Sequence, residues 1–355
     1  MTAIFLWEVN LVAGMDAPHE LFEDQHGFLV SQTIWESRIK ALKEMVILAE
    51  DKILDSTISA AVASRSSSPL ALLLSGGVDS SLLALLLKLQ SANFIACCVG
   101  IEGSQDLKAA KAVADLLKIP LNSRVITIDD LKDTIDEVCP HLKQAMMDNR
   151  QNLSVLFGVS AVEWTAIRLA KENGFDYIMG GLGSEEIFAG YDRHAKAKES
   201  GCEGRAAGSK TGCSKSPRNP ENPENPENPD TINAECWRGL EAMWGRDLVR
   251  DSAIASALKV KVLTPYLDTS LIRHAMGIPG ALKIKEGIKK YCLRQSALRL
   301  GLPKKFAFRP KKAAQYGSGF DKAIEKLAKR GGFSSKHDFL AASAGFPQVP
   351  AQGNG

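Results

Sequence analysis

An apolar run followed at once by a glycine turn and a second apolar run constrains this chain more than any other feature. Residues 70–74 read LALLL, residues 75–81 read SGGVDSS, and residues 82–87 read LLALLL. A run as uniformly apolar as LALLL is typical of a parallel strand that is buried on both faces of a sheet. The sequence therefore predicts a strand, a tight turn and a helix, which is the unit from which parallel α/β sheets are built.

The turn has the composition of an anion site. Adjacent glycines let successive backbone N–H groups point at one spot, the start of the next helix adds positive potential, and hydroxyl groups add donors. Asp79 would repel a phosphate unless it binds a bridging Mg²⁺. The turn lacks the lysine of a G-x-x-x-x-G-K-[ST] loop, and an ordinary glycine-rich turn is the competing interpretation. The candidate phosphate-binding residues are Ser75, Gly76, Gly77, Asp79, Ser80 and Ser81.

Short apolar runs alternate with helix-length amphipathic segments along the middle of the chain. Strands are predicted at 70–74, 94–99, 124–128 and 177–180, and helices between them at 81–89, 106–118 and 154–173. Further helices are predicted at 35–62, 236–258, 269–276, 287–300 and 319–329. This alternation indicates an α/β fold with a parallel sheet, helices on both faces and a helical C-terminal part.

Composition singles out no class of partner. The 44 basic and 41 acidic residues leave a net charge of +3, too balanced for a surface that coats nucleic acid. The apolar runs are shorter than the roughly 20 residues that span a bilayer, so we expect neither a nucleic-acid nor a membrane partner. Residues 1–30 contain no Lys or Arg, unlike a secretory signal. Seven cysteines without a C-x-x-C pair fit reduced thiols and a cytoplasmic location.

Residues 196–235 differ from the rest of the chain in composition. Gly, Ser, Lys, Pro and Asn dominate, and Asn-Pro-Glu recurs between 219 and 229. Such a segment has too little apolar surface to offset its ordering entropy, so we expect a disordered insert. The predicted organisation is an N-terminal extension with a long helix at 1–65, the α/β domain at 66–330 around the insert, and a flexible tail at 331–355.

Beyond the turn, four motifs occur in the order that they have in the synthetase domain of asparagine synthetases. SGGVDSS itself is similar to the loop of the PP-loop ATP pyrophosphatases, the wider group that includes these enzymes. The later motifs are GSQDLKAA at 103–110, GGLGSEEIFAGY at 180–191, DLVRD at 247–251 with VLTPYLD at 262–268, and KYCLR at 290–294. The pattern most resembles the shorter asparagine synthetase domain-containing proteins that lack a glutaminase domain.

The resemblance implies an ATP- and Mg²⁺-dependent ligase with a fold of the adenine nucleotide alpha hydrolase type. In the family, the side-chain carboxylate of aspartate attacks ATP to give an acyl adenylate and pyrophosphate, and ammonia then displaces AMP. Lys290 would stabilise the phosphoryl charge, Glu185 would share Mg²⁺ with Asp79, and Asp247 with Arg250 would bind the amino acid. The plainer interpretations are a solvated helix lysine and a surface i,i+3 ion pair.

The same resemblance assigns the nucleotide base and the close backbone contacts. Leu73 and Val99 would flank the adenine, although strand core is an equally good explanation for both. Gly180 and Gly181 would let the backbone approach the nucleotide, although a turn at the end of a strand needs glycine anyway.

Two features depart from the family pattern. The family glutamate after the two glycines, an acid–base group, is Leu182 here, and general acid–base assistance contributes about 10² to 10⁴ in rate. The glutamine-dependent enzymes have a Cys nucleophile at position 2, where this chain has Thr2. We therefore expect no glutaminase activity, with nitrogen supplied by free ammonia or a separate glutaminase subunit. A ligase for another carboxylate and an ATP-binding protein without turnover are the alternative functions.

Overall fold

The structure, a computed structural model, describes residues 20–148, 152–203, 230–310 and 312–346. Within these residues one sheet of five parallel strands has the order β3-β2-β1-β4-β5. The strands are β1 Leu70–Leu73, β2 Phe94–Gly100, β3 Leu121–Val125, β4 Tyr177–Met179 and β5 Lys261–Leu263. Leu70 of the central strand β1 pairs with Phe94 of β2 on one side and with Tyr177 of β4 on the other.

Helices contribute to a hydrophobic core on each side of the sheet. The first core includes α1 Gln32–Glu44, α2 Leu54–Ala63, α3 Val78–Leu89, α4 Gln105–Leu117, α8 Ser184–Ile187, α10 Thr231–Glu241, α12 Thr269–Gly277, α14 Tyr291–Arg299 and α15 Lys304–Ala307, with α13 Gly280–Lys283 beside them. The second core includes α5 Ile128–Val138, α6 Lys143–Asp148, α7 Leu153–Glu172, α11 Val249–Leu258, α17 Phe320–Arg330 and α18 Lys336–Ser343. The remaining two are α9 Asp192–Glu203, which packs on α10, and α16 Ala314–Gly317, which packs on α7 and α17.

The uniformly apolar β1 serves both cores. Successive side chains of a strand point to opposite faces, so Leu70 and Leu72 lie in the first core while Ala71 lies in the second. All three are fully buried. This confirms the prediction of an α/β fold with a parallel sheet and helices on both faces.

The predicted strand at 124–128 lies three residues earlier, at Leu121–Val125. Thr127 ends the extended chain because it caps α5: its side chain accepts from the Asp130 N–H, and Asp130 Oδ2 accepts from the Thr127 N–H at 2.9 Å. β3 is an edge strand with a partly exposed face, so its Asn, Ser and Arg residues gave no apolar signal. The three-residue β5 was not predicted as a strand.

Two predicted helices are each divided. The helix predicted at 35–62 is α1 and α2, separated by an irregular stretch and a 3-10 turn, Asp51–Ile53. In that stretch the Ala49 N–H donates to Gly277 O at 3.0 Å and Met45 O accepts from Arg273, so contacts with α12 replace helical hydrogen bonds. The helix predicted at 236–258 is α10, a π-helical turn at Trp244–Leu248, and α11.

The ends of the predicted insert and tail are more ordered than composition suggests. α9 continues to Glu203 and α10 begins at Thr231, so both enter the interval 196–235, while residues 204–229 lie outside the described residues. Part of the predicted flexible tail at 331–355 is α18, whose Phe339 and Leu340 are buried in the second core. Burial of these two apolar side chains packs α18 on the core although the surrounding sequence is rich in Gly and Ser. Residues 1–19 and 347–355 are likewise outside the described part.

α7 is the one helix in the described residues that is long and apolar enough to cross a membrane. Two thirds of its apolar window, 67%, is buried inside the protein. Phe157, Ala161 and Ile167 are fully buried in the second core, which explains the apolar composition of α7 by packing.

Candidate active site

The order of the strands places two glycine turns side by side. From β1 the chain moves outward through β2 to β3 and then returns to β4 on the other side of β1. The connections after β1 and β4 therefore diverge, and in open α/β sheets ligands bind in the crevice at such a switch point, beyond the carboxyl ends of the strands. The turn at 75–77 follows β1 and Gly180–Gly181 follows β4. A methyl group on Gly181 would lie 3.3 Å from Asp79 Cβ.

The phosphate loop, defined as residues 75–81, is a compact turn that leads into α3. Gly76 has a φ of +70°, and a side chain there would meet Ala109 Cβ of α4 at 2.6 Å, so this position requires glycine. The Ser75 N–H donates to Ser80 Oγ at 3.2 Å, and the Gly77 N–H donates to Ser75 Oγ at 3.4 Å. Both serines therefore shape the loop before any ligand binds.

Ser81 differs from the other candidates of the loop. Its side chain is fully buried and its Oγ has no hydrogen-bond partner among the described residues. Ser75, Gly76, Gly77, Asp79 and Ser80 thus lie together at the turn after β1 and the start of α3, whereas Ser81 is fully buried within α3.

Lys290 reaches the phosphate loop from a distant part of the chain. Its Nζ lies 2.7 Å from Asp79 Oδ1, 2.7 Å from Ser184 Oγ and 2.9 Å from Glu185 Oε1. Ser184 also donates to Asp79 Oδ1, and the Tyr266 hydroxyl donates to the Asp79 carbonyl at 3.0 Å. Lys290 is 2% exposed, so the interpretation as a solvated helix lysine is wrong.

Backbone geometry and a neighbouring arginine hold Lys290 in place. Lys290 has a φ of +56° at the start of α14, and Arg294 Nε donates to the Lys289 carbonyl at 2.9 Å. A side chain on Gly190 would overlap both Glu185 Oε2, at 1.6 Å, and Lys290 Cε, at 2.4 Å. Burial lowers the pKa of Lys290, and the nearby Asp79 carboxylate opposes that effect.

Asp247 and Arg250 form part of a second, buried charge cluster. The π-helical turn carries Asp247 and α11 carries Arg250, whose Nη1 lies 3.3 Å from Asp247 Oδ1. Arg250 Nε donates to Asp251 Oδ1 at 2.6 Å and lies 3.6 Å from Glu163 Oε2. Arg246 donates to Asp247 at 2.7 Å and also to Glu186. The pair is therefore no isolated surface ion pair.

Burial sets the protonation of this cluster. Desolvation raises the pKa of the Glu163 carboxyl well above its usual range, with a further rise from the Asp251 charge. Desolvation also raises the pKa of Asp251, opposed by Arg250. Glu163 and Asp251 thus share a guanidinium and favour a state in which one of them is protonated. Arg246 pairs with Glu186 Oε1, while the buried Glu186 Oε2 has no hydrogen-bond partner among the described residues.

A cleft of about 1590 Å³ joins the two clusters. Glu185 and Lys290 line it, and so do Asp247, Arg250 and Tyr191. Typical ligand sites have volumes of about 300 to 1,000 Å³, so the cleft has room for more than one substrate. This brings together the residues of two predicted roles, phosphoryl chemistry and amino-acid binding.

The other predicted positions lie around this cleft rather than in its lining. Leu73 and Val99 are on β1 and β2 at the second core, where a role as strand core accounts for both. The Gly180 N–H donates to Leu263 O at 3.2 Å. Leu182 lines a separate cavity of about 180 Å³ with Leu248 and Asp251, so the position of the family glutamate is turned away from the large cleft.

Asp79 and Glu185 are the candidate ligands for Mg²⁺ beside the phosphate loop. Both carboxylates contact the same Lys290 ammonium, so their oxygens lie around one point. Mg²⁺ in nucleotide sites is usually bound by one or two carboxylates plus substrate phosphates. The described residues contain no group of three or more His, Cys, Asp or Glu side chains suited to a metal. The pair fits an ion that arrives with a nucleotide.

Sequence reasoning missed several members of the site. Ser184 and Tyr266 contact Asp79, and Glu163 and Asp251 contact Arg250. Ser184 and Tyr266 lie inside motifs that the sequence does show, GSEE and TPYLD, and their motif positions were the available signal. Glu163 lies in the middle of a long apolar helix, and only its charge at a core position marked it.

Comparison with known proteins agrees with the motifs. The sequence model of the asparagine synthase family matches residues 54–339. A glutamine-hydrolysing asparagine synthetase of Lotus japonicus is 30% identical over 269 residues, which cover 71% of this chain and 40% of that protein. The nodule asparagine synthetase of Pisum sativum, also named as glutamine-hydrolysing, is 28% identical over 295 residues, which cover 76% of this chain and 44% of that protein.

The match is therefore to part of each relative. The chain spans less than half the length of these relatives, while the matched region contains the sheet, the phosphate loop, Lys290 and the Asp247–Arg250 cluster. On the extent of that match, the chain belongs to the asparagine synthase family.

Proposed function

We propose that this protein is an ATP-dependent amide ligase of the asparagine synthetase type that activates the side-chain carboxylate of aspartate. The carboxylate oxygen attacks the α-phosphorus of ATP, the bond to the bridging oxygen breaks, and pyrophosphate leaves. Ammonia then attacks the acyl carbon of the adenylate, AMP leaves, and a proton is released. The observation that carries the proposal is the contact of buried Lys290 with both Asp79 and Glu185 at the phosphate loop.

Each cluster has a task in this scheme. The phosphate loop binds the phosphates through backbone N–H groups, and Asp79 with Glu185 would hold the Mg²⁺ that offsets their charge. Lys290 stabilises the charge that grows on the phosphoryl oxygens, which is worth most in a water-poor site. Asp247 and Arg250 line the same cleft and bind the ammonium and carboxylate of the amino acid.

The second half-reaction needs a group that accepts a proton from the attacking ammonia. Leu182 cannot accept the proton that the attacking ammonia loses, and Glu186 is held by Arg246. Loss of a general base costs about 10² to 10⁴ in rate. This substitution favours, as a second candidate, a ligase that activates another carboxylate; the third candidate binds ATP without turnover. Ammonia or a separate glutaminase would supply the nitrogen, in the cytoplasm.

The test is pyrophosphate release from ATP and Mg²⁺ with aspartate, with and without ammonium, while asparagine is followed by mass. We expect asparagine only when ammonium is present. Lys290→Gln should reduce pyrophosphate release by at least about a hundredfold, by analogy with the loss of one transition-state donor. Lys111→Gln, at an exposed site on α4, is the matched control and should behave as the parent.

The outcomes separate the candidates. If pyrophosphate is released with a different carboxylate and not with aspartate, that carboxylate would replace aspartate as the substrate. No pyrophosphate with any carboxylate tested, although ATP binds, would overturn the ligase in favour of the third candidate. Asp79→Ala should abolish magnesium-dependent nucleotide binding, and unchanged binding would overturn the assignment of the phosphate loop.

A further inference from the structure

A segment from the C-terminal part of the chain lies against the phosphate loop. Its described residues are 304–310 and 312–317, from α15 to α16, and Arg309 lies between the two helices. Arg309 Nη1 donates to the Ser75 carbonyl at 3.2 Å, and its Nη2 lies 3.4 Å from Gln105 O and 3.5 Å from Asp106 Oδ1. The guanidinium is therefore one residue away from the glycine N–H groups that would bind phosphate.

These contacts are long for a guanidinium. Charge-assisted N–H···O bonds are usually about 2.7 to 2.9 Å, and two of the three acceptors here, the Ser75 and Gln105 carbonyls, are neutral. The Arg309 side chain is 21% exposed, whereas Asp106 is 8% exposed. A phosphate bound at the loop would offer shorter, charged acceptors in the planar geometry that a guanidinium matches.

Two lysines beside the phosphate loop, Lys289 and Lys290, already have carboxylate partners, so a further cation can offset the charge of the phosphates. Lys290 contributes one positive charge, but Asp79 and Glu185 both contact it with negative charges. Lys289 is paired with Asp192 at 2.5 Å. The charges of these two lysines are thus offset by neighbouring carboxylates, while the pyrophosphate that leaves during adenylation carries several negative charges.

The backbone around Arg309 is fixed to the same helix that presents Lys290. Arg294 Nη1 donates to the Ala307 carbonyl at 2.7 Å and to the Arg309 carbonyl at 3.2 Å, while its Nε holds the Lys289 carbonyl. One arginine of α14 therefore ties the backbone beside Lys290 to that of Arg309. The two cations approach the phosphate loop from preset positions.

The far end of the segment is seated closely on α4. A side chain at Gly317 would lie 2.2 Å from Asp106 Oδ2, so glycine allows α16 to approach this carboxylate. The Ile101 N–H donates to Ser318 O at 2.8 Å at the end of β2. The segment is thus anchored on both sides of Arg309.

We propose that Arg309 is a second phosphate-binding cation of this site, which exchanges its contacts with Ser75 and Asp106 for the β- and γ-phosphates of ATP and for the pyrophosphate product. The inference rests on the proposed function in placing ATP at the phosphate loop. Arg309 binds the leaving half of the nucleotide, whereas Lys290 serves the reacting phosphoryl group. Asp106 holds the guanidinium until phosphate replaces it.

The test compares the affinities of magnesium pyrophosphate and of AMP by titration calorimetry. Arg309→Gln should weaken pyrophosphate binding about 10- to 100-fold, which corresponds to the loss of one or two charge-assisted hydrogen bonds, and should leave AMP binding within about twofold. Arg309→Lys should restore part of the pyrophosphate affinity. Lys305→Gln is the control, because Lys305 stacks on Phe306 at 5.0 Å on the same segment.

Two results would overturn the proposal. Unchanged pyrophosphate affinity in Arg309→Gln would show that the guanidinium does not bind phosphate. An equal loss of AMP and pyrophosphate affinity would show that Arg309 only shapes the loop through Ser75. The protein could also bind pyrophosphate in an Arg309-dependent way and yet release none from ATP with any carboxylate. That result would support this inference and would overturn the proposed ligase activity.

Discussion

Lys290 shows how much of this site depends on a single side chain. The residue is almost fully buried and contacts Asp79, Ser184 and Glu185 at once. Burying a charge is costly unless it is paired, and here two carboxylates from different turns supply the pairing. Those carboxylates in turn approach one another only because the ammonium lies between them. The cluster is also packed tightly, since a side chain at the neighbouring Gly190 would overlap both Glu185 and Lys290.

His194 is a buried titratable group at the edge of the same region. It is fully buried, and its Nδ1 accepts from the Tyr191 N–H at 3.1 Å. Burial, aided by the charge of Arg193, lowers its pKa to about 3, against about 6.5 for an unperturbed histidine. Between these values the unfolded chain binds more protons than the folded one, so folding stability falls as the pH falls below about 6.5.

His194→Asn should remove this dependence, because asparagine keeps an acceptor for the Tyr191 N–H and does not titrate. Its free energy of unfolding, measured in urea at pH 7.5 and pH 5, should fall less steeply with decreasing pH than that of the parent, by up to about 1.4 kcal/mol per pH unit. His337→Asn, at an exposed position, should keep the parent's slope. If the unfolding free energy of His194→Asn falls with decreasing pH as steeply as that of the parent, His194 is not the source of the pH dependence.

At the scale of elements, one buried carboxylate connects three parts of the chain. Glu20 accepts from Arg65 at 2.8 Å, from the Thr264 N–H at 3.0 Å and from Thr264 Oγ1 at 2.6 Å. Arg65 lies just after α2, and Thr264 follows β5. Glu20 thereby connects its own part of the chain to the end of β5 and to the end of α2.

Glu20→Ala should be strongly destabilising, because it leaves the buried Arg65 with only Asp268 as a charged partner at 3.1 Å. Loss of one member of a buried pair typically costs about 3 to 5 kcal/mol, measurable as a lower midpoint in urea unfolding. Glu20→Gln keeps one acceptor oxygen for Thr264 and should cost less.

The matched control is an exposed pair on α4, Lys111 with Asp115 at 2.9 Å. Asp115→Ala should change the unfolding free energy by less than about 1 kcal/mol, as surface pairs do. A Glu20→Ala protein as stable as the Asp115→Ala protein would show that Glu20 does not hold these elements together.

At the scale of the whole molecule, the strand order assembles the site from segments far apart in sequence. The phosphate loop, residues 180–191 and the start of α14 meet because β1 and β4 are neighbours while their connections diverge. Residues 204–229, the centre of the Asn-Pro-Glu insert, lie outside the described residues. Their polar composition offers little surface to bury.

Replacing residues 204–229 by a short Gly-Ser linker should therefore leave ATP affinity within about twofold of the parent, since low-complexity segments seldom contribute to a folded core. α9 and α10 pack against each other on either side of this interval, so the linker joins elements that are already adjacent. Titration calorimetry with ATP and Mg²⁺ measures the effect. A tenfold loss of affinity with an unchanged unfolding midpoint would show that the insert contacts the nucleotide site.

Local sequence was sufficient for the fold where one segment carries its own structural pattern. The apolar run of β1, the glycines of the phosphate loop and the start of α3 are consecutive, so their periodicity and turn chemistry predict both the parallel sheet and an anion site. The family motifs likewise pointed to Lys290, Glu185 and Asp247 as residues of one site. The edge strand β3, by contrast, was predicted three residues too late in the chain, because its partly exposed residues carry no apolar signal.

Tertiary structure alone decided which charges meet and which helices break. Helical periodicity runs through 35–62, yet α12 interrupts it by accepting the Ala49 N–H. Glu163, Asp251, Arg294 and Arg309 acquire their roles from partners up to 234 residues away, such as Ser75 for Arg309. Side-chain spacing along a chain reports only on neighbours within the same helix or strand. The contacts that set burial and charge at this site depend instead on the order of strands in the sheet.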